Sequence, residues 1–180
     1  MPAAWMFAGE TGSGKTTLAR IVALSLQCDH APFGYPCKAC RKNRDNFDIH
    51  EHDAAERNKV DDIKPLVDLS RYAPNMLTKR RVIILDEAQA LTREAQRVLL
   101  RPTEPREDIS NPCVWMFTTT EPAQILKTIR RRCLKFHLNP LRGDAVEEFI
   151  HWAVITGGVT RPIPDFLDTV HRLGITSAGI

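Results

Sequence analysis

Apolar runs of strand length alternate along this chain with stretches whose apolar residues recur at helical spacing. Residues 3–8, AAWMFA, form a short apolar run bounded by Gly9, the pattern of a buried parallel strand. In KTTLARIVALSLQ, Leu18, Ile21, Val22 and Leu26 fall on one helical stripe. A segment bearing Cys, Pro and Gly, 28–46, then interrupts the order. FDIHEHD, 47–53, reads as a second strand. Residues 58–73 read as a helix with Pro65 as its weak point, since proline removes a backbone donor.

RVIILDE, 81–87, predicts a strand covered on both faces. TREAQRVLLR, 92–101, predicts a helix capped by Thr92 and stopped by Pro102. CVWMFTTT, 113–120, predicts a fourth strand and CLKFHL, 133–138, a short fifth. Two further helices are expected, one over 142–158 ended by Gly157 and Gly158, one from Pro162 to Leu173. Strands alternating with helices mean an α/β fold with a parallel sheet. Strands give way to short helices near Asn139–Pro140, the expected domain boundary. No internal repeat or low-complexity tract appears.

Composition adds limits. The 180 residues are 43% hydrophobic and 26% charged, an ordinary globular balance. No apolar run reaches the length of a membrane span, and MPAAWMFAGE lacks the basic start of a signal peptide, so a cytoplasmic location is expected. A net charge of +3 is too mild to argue nucleic-acid binding by itself. The clusters Lys79, Arg80, Arg81 and Arg130, Arg131, Arg132, taken as charge runs alone, read as solvated faces. Five cysteines in such a chain point to reduced thiols or a metal rather than disulfides.

The candidate chemistry begins at GETGSGKTT, 9–17. Gly9, Gly14, Lys15 and Thr16 fit the phosphate-loop pattern, with a strand before and a helix after. Glycines let backbone N–H groups face a phosphate at the positive end of a helix. Lys15 is suited to bridge the β- and γ-phosphates and Thr16 to ligate magnesium. The nucleotide-binding set is Gly9, Gly12, Gly14, Lys15, Thr16, Thr17 and Asp86. Asp86 ends an apolar strand, where such enzymes need a carboxylate on the metal shell. Glu87, next to it, is placed to act as general base toward water. Thr120 ends the following strand and offers a polar contact to the γ-phosphate or the water. Within IRRRC, one guanidinium is suited to reach a neighbouring subunit's phosphates, being planar and always charged.

DIHEHDAAERNKVDDIKPLVDLSRYAP, RVIILDEAQALTREAQRVLL, TTTEPAQILKTIRRRCLKFHL and the P-loop, in that spacing, resemble the gamma/tau-type ATPase subunits of bacterial DNA polymerase III clamp loaders, members of the AAA+ family. The resemblance runs from Trp5 to Leu141. It implies a five-stranded AAA+ P-loop domain over 1–139, with a Cys-bearing insertion at 28–46, and the start of a helical lid over 140–180. It implies ATP and magnesium as cofactors, with Thr16 and Asp86 on the metal and Glu87 as base. Thr120 matches the first sensor. Arg132 matches the arginine that acts in trans on an adjacent subunit's ATP. Arg57, Lys59 and Arg93 match positions facing DNA, where phosphates are contacted without reading sequence; an ordinary salt-bridged surface fits these three equally. The implied partners are other clamp-loader subunits in a hetero-oligomeric ring, the sliding clamp and primer–template DNA, with no membrane.

Related subunits carry a four-cysteine zinc module, of which Cys28, Cys37 and Cys40 match three positions. The fourth falls on Asn43, a poor ligand, and His30 is the substitute if the loop folds back. Other departures are Arg131 in place of the usual serine, Pro102 in a helix that continues in relatives, and no counterpart of the segment before the first strand, the second-sensor arginine or the collar. A fragment, a split gene product or a reduced version is expected on that ground. Two rival readings remain: a non-hydrolysing delta-prime-like scaffold, against which the intact P-loop counts, and a small-molecule kinase, against which the Asp86–Glu87 pair counts.

Overall fold

The computed structural model describes residues 3–28, 30, 36–42, 48–74, 78, 80–104, 113–141, 144, 145 and 148. In chain order these form β1 (Ala4–Gly9), α1 (Lys15–Gln27), α2 (Lys38–Lys42), β2 (Ile49–Asp53), α3 (Val60–Leu69), β3 (Arg81–Asp86), a 3-10 turn (Ala88–Ala90), α4 (Arg93–Val98), β4 (Cys113–Thr119), a second 3-10 turn (Pro122–Gln124), α5 (Lys127–Arg132) and β5 (Leu134–Leu138). Most of the helices expected over 142–158 and 162–173, and Asn43, lie outside the described residues.

The five strands make one sheet in the order β2-β3-β4-β1-β5. The β1–β4, β2–β3 and β3–β4 pairs are parallel, with Met6 opposite Phe117, Glu51 opposite Ile84 and Ile83 opposite Trp115. β1, β3 and β4 read as continuous apolar runs because helices cover both faces of a parallel sheet. Ala4, Met6, Ile83, Leu85, Trp115 and Phe117 are accordingly buried in one core cluster with Ile63 and Val67 of α3 and Ala95 of α4. β2 and β5 are the edge strands; β5 is largely open to solvent, and its Phe136 stacks on Phe7 with ring centroids 5.3 Å apart.

α1 buries its apolar stripe only in part, with Leu18 and Leu26 half-buried. Ala19, Val22 and Ala23 are buried, whereas Ile21 is 38% exposed. Small side chains let the helix lie close to the sheet, and Ile21 is left at the rim. α3 runs through Pro65 without breaking. The bond lost there falls on the exposed side, where Asp61 and Pro65 both meet water. α3 is also shorter than 58–73, and α4 ends at Val98 rather than 101.

Arg81 corrects the charge-run reading. It is 6% exposed. Its Nε donates to Asp48 Oδ1 at 2.9 Å, its Nη2 meets Asp48 Oδ2 at 2.8 Å, and its remaining N–H groups bond the carbonyls of Leu69, Tyr72 and Ala73. One buried guanidinium thus ties the start of β3 to the entry of β2 and the end of α3. Arg130 and Arg132 are likewise bonded to backbone carbonyls, of Ile125 and Leu100, so only Arg131 of that run lies on an exposed face.

The chain divides into two units, Met1–Ala8 with Lys15–His137, and Gly9–Gly14 with Leu138–Ile180. The first holds the sheet and helices described above. In the second, Ser13 N–H donates to Glu10 O at 3.2 Å, closing a turn within the phosphate-loop segment.

Candidate functional site

The glycines of the loop answer two different physical demands. Gly12 and Gly14 have φ of 77° and 84°, a left-handed backbone that side chains disfavour. Gly9 is required by space instead: a Cβ there would lie 2.2 Å from Leu138 O. Ser13 Oγ in the same loop is buried with no hydrogen-bond partner among the described residues, a donor suited to an anion's oxygen. α1 starts directly after the loop, so the N–H end of a helix follows the glycines in the chain. Lys15 is 6% exposed and engaged, Thr16 is half-buried, and Thr17 is exposed.

The expected metal pair is brought together. Thr16 Oγ1 donates to Asp86 Oδ1 at 2.8 Å, joining the start of α1 to the end of β3. β4, between β3 and β1 in the sheet, supplies a third member: Thr118 Oγ1 also donates to Asp86 Oδ1, and accepts from the Glu87 N–H at 3.2 Å. Sequence reasoning took Thr120 from the TTT run and missed Thr118. The available signal was the period of two, which puts Thr118 and Thr120 on one side of the strand line.

Glu87 has φ 50° and ψ 43°, the one left-handed non-glycine among the described residues. A left-handed non-glycine residue is uncommon, and backbone strain of this kind clusters at functional sites. Its carboxylate accepts from Gln89 Nε2 at 2.5 Å, and the same nitrogen donates to Thr120 Oγ1 at 3.0 Å. Thr16, Asp86, Glu87 and Thr120 therefore form one hydrogen-bonded chain through Thr118 and Gln89. Gln89 is the second member that the sequence left unseen.

Arg132 stands apart from that chain. At the end of α5, its Nη1 donates to Leu100 O and its Nη2 to Glu104 Oε1 at 3.1 Å, beyond the C-terminal end of α4. Arg57, Lys59 and Arg93 are all exposed. The starts of α3 and α4 are joined by the Thr92 N–H bond to Asn58 O, 3.2 Å, so Lys59 and Arg93 flank neighbouring segments. Asp62 accepts from the Lys59 N–H at 3.0 Å, Thr92 caps α4 by accepting from the Ala95 N–H at 3.2 Å, and His52 Nε2 lies 2.7 Å from Arg57 O.

His30 is brought to the three cysteines, as its role as substitute ligand requires. The ligand atoms of Cys28, His30, Cys37 and Cys40 all lie within 4.8 Å of one another, with Cys40 Sγ 3.7 Å from His30 Nδ1. A zinc tetrahedron with bonds of ~2.3 Å has edges of ~3.8 Å, so this donor set fits the ion with small closure. Backbone N–H donation from Cys37 draws the Cys28 thiol down to about 6, while burial pushes Cys40 up to about 12.

A family described as DNA polymerase III, delta subunit, matches residues 1–142. The chain belongs to this family. Its curated relatives carry the names of gamma and tau subunits. The DNA polymerase III subunit gamma of Buchnera aphidicola (Schizaphis graminum) is 35% identical over 161 residues, covering 86% of this chain and 43% of that protein. The DNA polymerase III subunit tau of Bacillus subtilis is 36% identical over 148 residues, covering 79% and 26%. The Escherichia coli subunit tau is 36% identical over 144 residues, covering 77% and 22%. This chain thus spans less than half of each of these relatives.

Among solved structures, a DNA polymerase III gamma subunit-related protein of Thermotoga maritima superposes with a TM-score of 0.56 at 21% identity, over 83% of this chain and 44% of that one. The RuvB Holliday junction branch migration motor of the same organism gives 0.55 at 18%, over 88% and 45%. These likenesses show the fold expected from the sequence, a five-stranded α/β sheet flanked by helices. No helix among the described residues is long and apolar enough to cross a membrane.

Proposed function

We propose that this chain is the ATP-binding and hydrolysing part of a clamp-loader subunit that couples ATP to loading of a sliding clamp on primed DNA. The observation that carries the reading is the Thr16–Asp86 hydrogen bond with Glu87 beside it, the arrangement a metal-assisted phosphoryl transfer to water requires. In this reading Gly9, Gly12, Gly14, Lys15 and Thr17 hold the phosphates, and Thr16 and Asp86 hold magnesium. Bound magnesium supplies neutralisation of phosphate charge. Glu87 accepts the proton of the attacking water, and Thr120 orients the water or the γ-phosphate.

Arg132 serves the ATP of an adjacent subunit in a hetero-oligomeric ring. Arg57, Lys59 and Arg93 contact DNA phosphates. Zinc is held by Cys28, His30, Cys37 and Cys40 and stiffens the 28–46 insertion. Residues 1–139 form the ATPase domain and 140–180 the start of a lid, in a cytoplasmic protein. The test is ATPase activity of the full chain assembled with its partner subunits, clamp and primed DNA. Glu87→Gln and Arg132→Ala are each expected to abolish most of the turnover that the chain supports. If both hydrolyse like the parent, the proposal fails.

A second reading, a non-hydrolysing delta-prime-like scaffold, draws support from the delta-subunit description of the matching family. Titration with ATP discriminates. Magnesium-dependent binding supports the hydrolase, and its absence supports the scaffold.

A further inference from the structure

Gln89 does more than fill the turn after β3. Its Nε2 donates both to Glu87 Oε2, at 2.5 Å, and to Thr120 Oγ1, at 3.0 Å. Its Oε1 is buried without a hydrogen-bond partner among the described residues. Exchanging the amide's oxygen and nitrogen would set a carbonyl against the Glu87 carboxylate, so the orientation follows from the partners. A buried amide oxygen without a donor is costly and uncommon. Here it is the consequence of aiming the N–H end at two groups at once.

Glu87 needs such a partner. Its backbone is set in the left-handed region and its N–H is committed to Thr118. Those two constraints fix where the side chain starts, not where the carboxylate ends. The Gln89 amide fixes the end. It occupies Oε2 and leaves Oε1 for another donor. Because the same nitrogen holds Thr120, the two groups meet a reactant as one preorganised unit.

We propose that Gln89 is the positioning residue for Glu87, holding the base in register with Thr120. This rests on the hydrolase reading above. A base displaced by an ångström loses up to about a hundredfold in rate.

The experiment measures kcat and KM for ATP with the full chain in its assembled complex, clamp and primed DNA present. Gln89→Met keeps the length and removes the donor. It is expected to lower kcat about tenfold or more, with KM for ATP and the thermal midpoint of the protein unchanged. Gln89→His, which keeps an N–H donor, is expected to recover part of that loss. Glu87→Gln is run alongside. If Glu87→Gln is inactive but Gln89→Met keeps the parent kcat, the positioning role is overturned and the hydrolase reading stands. If Gln89→Met changes only KM or the thermal midpoint, its role is structural and the inference fails. If the parent itself does not hydrolyse ATP, the hydrolase reading fails and this inference with it.

Discussion

Thr16 donates its hydroxyl to Asp86 across 2.8 Å, although seventy positions separate the two residues. The contact exists because β1 and β3 both run parallel to β4, so that the start of α1 and the acid ending β3 meet at the carboxyl end of the sheet. If Thr16 and Asp86 hold magnesium as proposed, Asp86→Asn and Thr16→Ala each weaken magnesium-dependent ATP binding at least about tenfold, because each would remove one side of the metal's shell. Calorimetric titration with and without magnesium checks this. Equal affinity in both conditions for the parent would remove the basis of the prediction.

Thr118 is buried and spends its hydroxyl on both Asp86 and the Glu87 N–H. Thr118→Val preserves shape and removes both bonds. The expected cost is about 1–3 kcal/mol in chemical denaturation, since the Glu87 N–H loses its acceptor. Turnover is expected to fall as well, because the geometry of two neighbouring acids depends on one hydroxyl.

The Arg81–Asp48 pair should behave differently from the surface pairs. Both side chains are buried, at 8% and 5% exposure, and bonded at two points. Asp48→Ala is expected to destabilise the fold by about 3–5 kcal/mol, because the guanidinium is left buried and uncompensated. Asp61→Ala, which removes the exposed 3.3 Å pair with Lys64, is expected to cost less than about 0.5 kcal/mol. Denaturant midpoints of the two variants provide the comparison.

His30 and Asn43 make opposite predictions for the metal. If the cluster of Cys28, His30, Cys37 and Cys40 holds zinc, the full chain binds one ion and His30→Ala loses affinity by about tenfold or more. Asn43→Ala is expected to leave affinity unchanged. Chelator competition and metal content measure both. Retention by His30→Ala with loss by Asn43→Ala would reverse the assignment.

Arg57, Lys59 and Arg93 are exposed on segments joined at Thr92 and Asn58. If they contact DNA phosphates, each alanine substitution lowers the slope of log affinity against log salt by about 0.9, without changing sequence preference. Binding of primed DNA by the assembled complex at several salt concentrations reads the slope. An unchanged slope in all three variants would return them to an ordinary charged surface.

Local chemistry carried much of this protein's description. Apolar runs marked β1, β3 and β4 because a strand covered on both faces has nowhere to put polar groups. Gly9, Gly12, Gly14, Lys15, Thr16, Asp86 and Glu87 stood out as candidates because a phosphate loop and a strand-end acid would need those residue types at those places. Element ends were less legible: α3 stops at Leu69 and α4 at Val98, where packing rather than propensity decides.

What lay beyond the sequence is every relationship set by neighbours distant in the chain. Thr118 and Gln89 look like an ordinary strand residue and an ordinary turn residue until β3 and β4 pair and bring Asp86, Glu87 and Thr120 within bonding reach. Arg81 looked like part of a solvated run until Asp48 arrived from the entry of β2. His30 became the fourth member of the cysteine cluster only once its ring nitrogen came within reach of Cys40. Residue types and short-range spacing determined which chemistry this chain can carry. The tertiary structure decided which side chains share a hydrogen bond, because that depends on strand order and register, and a linear pattern does not contain them.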